Sequence, residues 1–401
     1  MDHFEIAIVG AGLAGSLAAL ALADSGRSVV LIAPAPGRPD GRTTALMDHS
    51  LDLVRRLGLW ERIEPLAAPL ATMRIIDGTD RLLRAPTVTF HAAEVGLDAF
   101  GYNIPNTPFL ALLEKEAETR PSLVRIIASL SQIEIDAKRA TLKLDDGRIV
   151  TADLVLGADG RKSAVRAAAG IDVHSWSYPQ TAVVLNFAHQ MPHQNISTEF
   201  HTPDGPFTQV PLPGSRSSLV WVQKPDAAAA TLALSAEELS LAVERRMQSI
   251  LGKVTVEGTA QSFPLSGMAA RAFGKQRTIL IGEAAHAFPP IGAQGLNLSL
   301  RDIMAASALL SDLPVIPADF GARYDRRRRT DVLTRTFSVD LLNRSLLSEL
   351  LPVQLLRAAG LQALASVPLL RNLMMHEGLN PGSALQTLRS SLQEKIGWQR
   401  A

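Results

Sequence analysis

The segment Ile6-Ala7-Ile8-Val9-Gly10-Ala11-Gly12-Leu13-Ala14-Gly15 runs from a short apolar strand through a glycine turn into an alanine-rich helix, Leu13–Asp24. Strand before and helix after are the context in which a GxGxxG spacing binds a dinucleotide. Gly10 permits the tight turn, Gly12 lets the backbone approach a pyrophosphate, and Gly15 lets the helix pack close to the sheet. The phosphates would sit on the free N–H groups and positive end of the helix. Ser28–Ile32 reads as the next parallel strand and completes a βαβ unit. An acidic residue about 20 positions on usually binds the adenosine ribose. Here Ala33 stands in its place and the next acid is Asp40, so the ribose contact falls to Arg42 or to backbone.

Composition bounds the rest. A chain of 401 residues exceeds one hydrophobic core, so two domains or one large composite are expected. An apolar share of 47% with 20% charged residues fits a globular protein rather than a disordered one. A formal net charge of +1 argues against a nucleic-acid partner. With no cysteine, disulfides, Cys–zinc sites and thiol nucleophiles are excluded; a cytoplasmic location is compatible. The N-terminal residues lack the basic start of a signal peptide. The apolar run Ala358–Leu370 is too short to span a bilayer.

Further along, Leu51–Glu61 and Asn106–Arg120 read as helices. Asp145-Asp146-Gly147 reads as a hairpin turn between Ala140–Leu144 and Arg148–Ala152. From Thr181 to Val222, short apolar runs alternate with Pro/Gly turns, the texture of an antiparallel sheet. Ala236–Leu251 reads as a helix opened by a Ser235/Glu238 capping box. Gly295–Leu310 and Tyr324–Leu350 are the last helices expected.

Two more strand-end turns carry chemistry. One is Gly157-Ala158-Asp159-Gly160-Arg161-Lys162-Ser163-Ala164-Val165-Arg166. The other follows the strand Thr278–Ile281 as Gly282-Glu283-Ala284-Ala285-His286 and continues through Pro289-Pro290 to Gly292-Ala293-Gln294-Gly295-Leu296-Asn297. In this order and spacing the three motifs resemble the FAD-dependent aromatic hydroxylases of the para-hydroxybenzoate hydroxylase fold, over nearly the whole chain. Gly41-Arg42-Thr43-Thr44-Ala45-Leu46 is similar to that family's Arg-containing flavin contact. Pro289–Asp302 and Thr202–Trp221 resemble the ubiquinone-biosynthesis hydroxylases. The chain departs from that pattern at Pro289 (usually His), at Ala293 and Ser299 (usually Gly), and at Glu283 (usually Asp, one methylene shorter).

The resemblance implies an α/β fold: a Rossmann-like FAD-binding domain, an inserted and mainly antiparallel β-sheet substrate domain, and a C-terminal helical region. Residues 1–72, 98–178 and 265–325 would form the first, 73–97 and 179–264 the second, 326–401 the third. The implied cofactor contacts are Gly10, Ala11, Gly12, Leu13, Ala14, Gly15, Arg42, Asp159, Gly160, Gly282, Glu283, Pro289, Gly292, Ala293, Gln294, Gly295, Leu296 and Asn297. NAD(P)H is the expected reductant. O2 would add to the reduced FAD, and the flavin hydroperoxide would transfer its distal oxygen to an aromatic small-molecule substrate. That substrate is expected to be a polyprenylated phenol of ubiquinone synthesis. A soluble aromatic substrate is the alternative, and so is a non-catalytic, flavin-bound subunit of a biosynthetic complex. Flavin halogenases carry a Trp-x-Trp-x-Ile-Pro run that this chain lacks. A membrane surface and a biosynthetic complex are candidate partners.

Several residues keep two readings. Asp159 is a cofactor contact or only a turn residue. His286 reads as a packed histidine at a helix start rather than a catalyst. Tyr102 lines the pocket or belongs to the core. His189, His193 and His201 lack a metal-binding periodicity. Arg326–Arg329 is a solvated helix face, or a membrane contact beside apolar helices.

Overall fold

The computed structural model describes residues 2–37, 41–79, 84–289 and 294–347, together with Ser366, Arg371 and Met375. Ile6–Val9 ends the strand Asp2–Val9 at the centre of an eight-stranded sheet. Five strands run parallel, in the order Thr278–Leu280, Ile149–Gly157, Asp2–Val9, Val29–Ala33 and Leu123–Ile127. Their central members are buried on both faces, which is why they read as unbroken apolar runs. The hairpin through Gly147, whose φ is +86°, adds antiparallel strands Ala140–Leu144 and Leu130–Ile135. The helix Leu13–Asp24 is apolar on all sides and is buried from Gly15 to Ala23. It packs against the sheet, the helix Asn106–Ala117 and the helix Gln294–Leu310.

A second eight-stranded sheet stands beside the first. Its antiparallel centre is wider than the expected Thr181–Val222. It is built on two 17-residue strands, Val173–His189 and Val254–Ala270. Ile196–Thr202, Gly205–Leu212 and Arg216–Gln223 extend it as a meander. Beyond them Thr72–Asp77 joins in parallel to Ile196–Thr202, and Val88–His91, antiparallel to it, forms the far edge. At the near edge Val254–Ala270 pairs with the two-residue strand His286–Ala287. The second sheet therefore reaches directly into the third glycine motif.

Several helices differ in extent from expectation; the one expected over Ala236–Leu251 stops at Arg246, before Gln248 and Ser249 at positive φ, and the one over Asn106–Arg120 stops at Ala117. The single helix expected over Leu51–Glu61 is two, Asp48–Arg56 and Trp60–Ile63. Gly58, at φ +67°, breaks them, because a left-handed residue cannot continue a helix. The last described helix is Phe320–Leu347. Apart from Ser366, the apolar run 358–370 lies outside the described residues, as does most of the expected C-terminal region.

Candidate functional site

The three glycine motifs meet at the carboxyl ends of three adjacent parallel strands, the crevice where open α/β sheets bind ligands. Gly10, at φ +104°, passes so close to the second motif that a Cβ there would lie 2.3 Å from the carbonyl oxygen of Ala158. A Cβ on Gly15 would lie 1.9 Å from the Gly10 carbonyl oxygen. Gly282 closes the third side, where a Cβ would sit 3.4 Å from that of Ala14. The contacts at Gly10 and Gly15 leave no room for a side chain, and at Gly282 the left-handed backbone, φ +57°, disfavours one. Gly12 is different: a Cβ there meets nothing within 4 Å. It caps Leu13–Asp24 with no side-chain hydrogen bond and no acidic residue in the first turn. The first-turn N–H groups of Leu13, Ala14 and Gly15 thus face an open cradle, with half-buried Ala11 beside it. A pyrophosphate fits that arrangement.

Asp159 serves both of its readings, one oxygen each. Its Oδ2 accepts from the backbone N–H groups of Ala164 (2.7 Å) and Val165 (3.2 Å), the first two of the short helix Ala164–Ala168, whose N-cap is Ser163. Its Oδ1 is buried with no hydrogen-bond partner. A buried carboxylate oxygen left unbonded is costly, and a hydroxyl of a bound FAD would satisfy it. Gly160, at φ +80°, makes the turn that aims it.

The third motif is less direct. Glu283 is exposed and stands 3.4 Å from Arg161. Pro289 is buried, while Pro290, Gly292 and Ala293 lie outside the described residues. Gln294 begins the helix Gln294–Leu310, and its Oε1 accepts from Arg335 Nη1 at 2.7 Å. Gly295 is exposed with space around it, and Leu296 is half-buried. Asn297 is buried: its Oδ1 accepts from Met47 N–H (2.9 Å) and its Nδ2 donates to the Ala45 carbonyl (2.8 Å). It thereby fixes the strand Thr43–Met47, which follows the exposed Arg42. The Arg42 guanidinium lies 5.3 Å from the ring centre of Phe263 on the second sheet.

Other residues required the structure. Arg166 is buried and donates to the carbonyls of Ala284 (2.8 Å) and Arg161 (2.7 Å), tying the second motif to the third. Burial pushes its pKa down, and Asp159 partly opposes that shift. His286 is not at a helix start. It is buried on the strand His286–Ala287, with Nε2 at 2.7 Å from Asp302 Oδ2. The other histidines bond separately: His189 to Met191 and Ser217, His193 to Leu212, His201 to Glu199. Half-buried Tyr102 packs edge-on against Trp60, with 4.7 Å between ring centres. The basic run is not one solvated face: Arg326, Arg327 and Arg329 are exposed, whereas Arg328 is buried against Asp302. A groove of about 620 Å³ lies between Val173–His189, Val254–Ala270 and Phe320–Leu347. Its lining includes Trp176, Arg271, Leu333 and Phe337 but no residue of the three motifs.

An open helix N-terminus between two strand-end turns, with an unbonded carboxylate oxygen beside it, defines a dinucleotide-binding flavoprotein of the α/β class. Residues 3–314 match the FAD binding domain family, and the chain belongs to this FAD-binding monooxygenase family, with FAD as its cofactor. It is 33% identical to ubiquinone hydroxylase UbiL of Rhodospirillum rubrum, over 94% of this chain and 89% of that one. It is 31% identical to 3-demethoxyubiquinol 3-hydroxylase of Escherichia coli, over 90% and 94%. The fold is similar to that of p-nitrophenol 4-monooxygenase from Pseudomonas putida, with a TM-score of 0.77 at 20% identity over 95% of this chain and 99% of that one.

Proposed function

We propose that the protein hydroxylates the ring of a phenol bearing a polyprenyl tail, as a step of ubiquinone synthesis, with O2 as oxidant and NAD(P)H as reductant. The observation that carries this reading is the convergence of three glycine motifs on one open cradle, in a chain similar along most of its length to two named ubiquinone-pathway hydroxylases. When bound, FAD supplies the redox and oxygen-transfer chemistry.

The chain's own residues bind, orient and exclude water. The first-turn N–H groups after Gly12 would hold the pyrophosphate, and Asp159 Oδ1 would accept a hydroxyl. Arg42 would offer its fork of donors to a phosphate or the ring edge. The helix Gln294–Leu310 has no acidic residue in its first turn, so its positive end favours negative charge beside it by roughly 0.3–1 kcal/mol. Gly292 and Ala293, the two residues before Gln294 in sequence, complete the proposed set of cofactor contacts. Buried Pro289 has no N–H to donate and walls off water. The second sheet, with residues 73–97 and 179–264 as the substrate domain, would cover the substrate ring. Exposed Arg326 and Arg327, with Leu333 and Phe337 at 43% and 67% exposure on the same helix, support a peripheral contact with an anionic membrane.

The test is product chemistry. Purified protein with NAD(P)H and O2 should add one oxygen to a tailed phenol, and a gene deletion should accumulate an under-hydroxylated quinone precursor. Normal ubiquinone in a deletion strain without a second hydroxylase would move the assignment to a soluble aromatic substrate. NAD(P)H oxidation that no phenol stimulates would favour a flavin-bound subunit of a complex.

A further inference from the structure

Beneath the cofactor crevice runs a buried ladder of charges that the motifs do not account for. At one end, Asp302 Oδ2 accepts from His286 Nε2 (2.7 Å) and from the Gly282 backbone N–H (3.3 Å). Both His286 and Asp302 side chains are almost fully buried. The His286 ring stacks on Phe288 at 5.7 Å and 11°. Asp302 Oδ1 accepts from Arg328 Nε at 2.8 Å, and Arg328 Nη1 donates to Asp331 Oδ2 at 2.6 Å. Asp331 Oδ1 accepts from Arg335 Nε (3.0 Å) and Arg301 Nη1 (3.2 Å). At the other end, Arg335 Nη1 donates to Gln294 Oε1 at 2.7 Å. The chain that enters the third motif at Gly282–His286 and the helix that begins at Gln294 are thus held by one face of the helix Phe320–Leu347.

We propose that Arg335 is a positioning residue for the bound flavin: by joining Asp331 to Gln294 it fixes the start of the helix Gln294–Leu310 against the chain at His286. The proposal rests on the assignment of FAD as cofactor. Arg suits the task because its planar fork reaches two acceptors in fixed directions. The Arg335 side chain is only 12% exposed, and its Nη2 is buried without a partner, so the group is held here at an energetic cost.

The local charge balance points the same way. Arg301, Arg328 and Arg335 outnumber Asp302 and Asp331 by one. Neighbouring His49 accepts from Arg301 Nε at 3.2 Å. Burial first, then Arg301 and Arg335, push its pKa down to about 4. The ladder therefore adds a positive charge at a helix N-terminus that is already positive, a field that favours a reduced, negatively charged flavin.

The test is Arg335→Met in the full chain, with Arg335→Lys as the second variant, which keeps the charge and stem but not the two-pronged link. In both, amide exchange at residues 298–301 of the FAD-free protein, the first N–H groups of the helix with i−4 carbonyl partners, should accelerate at least tenfold, and the Kd for FAD should rise about tenfold. In Arg335→Met the oxidised form of bound FAD should also be favoured about tenfold, roughly 30 mV for a two-electron couple; Arg335→Lys should restore most of that shift. Arg329→Met, on the exposed face of the same helix, should leave all three unchanged. Wild-type exchange at 298–301 in Arg335→Lys would overturn the link, and so would an FAD Kd and potential in Arg335→Met equal to wild type. A wild-type protein that binds no FAD would sink the cofactor assignment instead, and the exchange measurement would still decide whether the link exists.

Discussion

Gly12 and Gly15 lie three residues apart, and substitution should affect the molecule in opposite ways. At Gly12 the backbone is extended, φ −70° and ψ 179°, and a Cβ would meet nothing within 4 Å. Valine is a poorer N-cap than glycine, so Gly12→Val should lower stability by no more than about 1 kcal/mol. The same side chain would occupy the space where a pyrophosphate would contact the first-turn N–H groups. Hydrogen bonds to a charged group contribute about 1.5–3 kcal/mol each. Losing two amounts to roughly 3–6 kcal/mol, or about 10²–10⁴-fold in Kd. At Gly15 a methyl group would fall 1.9 Å from a carbonyl oxygen and 3.1 Å from the Ala158 Cβ. Overpacking of that kind costs about 1–3 kcal/mol or more, so Gly15→Ala should destabilise the protein even without FAD. Thermal unfolding of the FAD-free proteins and a fluorescence titration with FAD separate the two. Gly12→Val binding FAD within a few-fold of wild type, or Gly15→Ala as stable as wild type, would refute the cradle geometry.

Asp159→Asn should keep most of the bonding to the first turn of Ala164–Ala168 but weaken FAD binding by about 10–100-fold, since a bond to a charged acceptor is lost; a flavin titration checks it. The His49 pKa of about 4 in the fold lies below its ordinary value near 6.5. The unfolded chain therefore takes up this proton first as pH falls. His49 contributes stability that is present above about pH 6.5 and lost as pH drops towards 4. The ceiling is about 3 kcal/mol, lowered by solvent screening because the ring is only half-buried. Denaturation series from pH 7 to pH 4 should show a shallower loss in His49→Gln than in wild type. Ser235→Ala removes a capping box formed at both ends, Glu238 N–H to Ser235 at 3.2 Å and Ser235 N–H to Glu238 at 2.8 Å. It should lower stability by about 0.5–2 kcal/mol and leave FAD affinity unchanged. A phenol without its tail should bind far more weakly than the tailed one, by about 0.8 kcal/mol per buried CH2 lost, which competition titration measures.

The centre of the parallel sheet was legible because both faces of its strands are covered: Asp2–Val9, Ile149–Gly157 and Thr278–Leu280 end in apolar runs that lead into glycine turns, whereas the edge strand Leu123–Ile127, with Arg125 and exposed Val124 and Ile127, was not legible. The second sheet was legible only where strands alternate. Val254–Ala270 carries Glu257, Gly258, Thr259, Gln261 and Ser262 in a largely exposed first half, which looks like loop. Val173–His189 contains Pro179, and its register slips between Ser177 and Thr181, so its first third lay hidden behind an apparent break. In the site, the glycines were readable from their spacing between strand and helix, and at Gly10 and Gly15 close approach admits no other residue.

The polar framework was not, because its meaning depends on partners distant in sequence. Arg326–Arg329 looks like uniform surface charge. Its reading turns on Asp302, which lies 26 residues before Arg328. One local signal did exist. Tyr324, Arg328, Asp331 and Arg335 fall at i, i+4, i+7 and i+11, the stripe that a helix of 3.6 residues per turn turns towards a core. A stripe of that period made of charges rather than leucines predicts a buried polar partner surface, since charges almost never lie fully buried unless paired. That surface comes from the third motif and the helix it opens: His286 and Gln294 lie within the motif and Asp302 on the helix that follows. Residues that follow a cofactor motif at helical period, with charges in the core stripe, are therefore candidates for holding the motif rather than for meeting solvent.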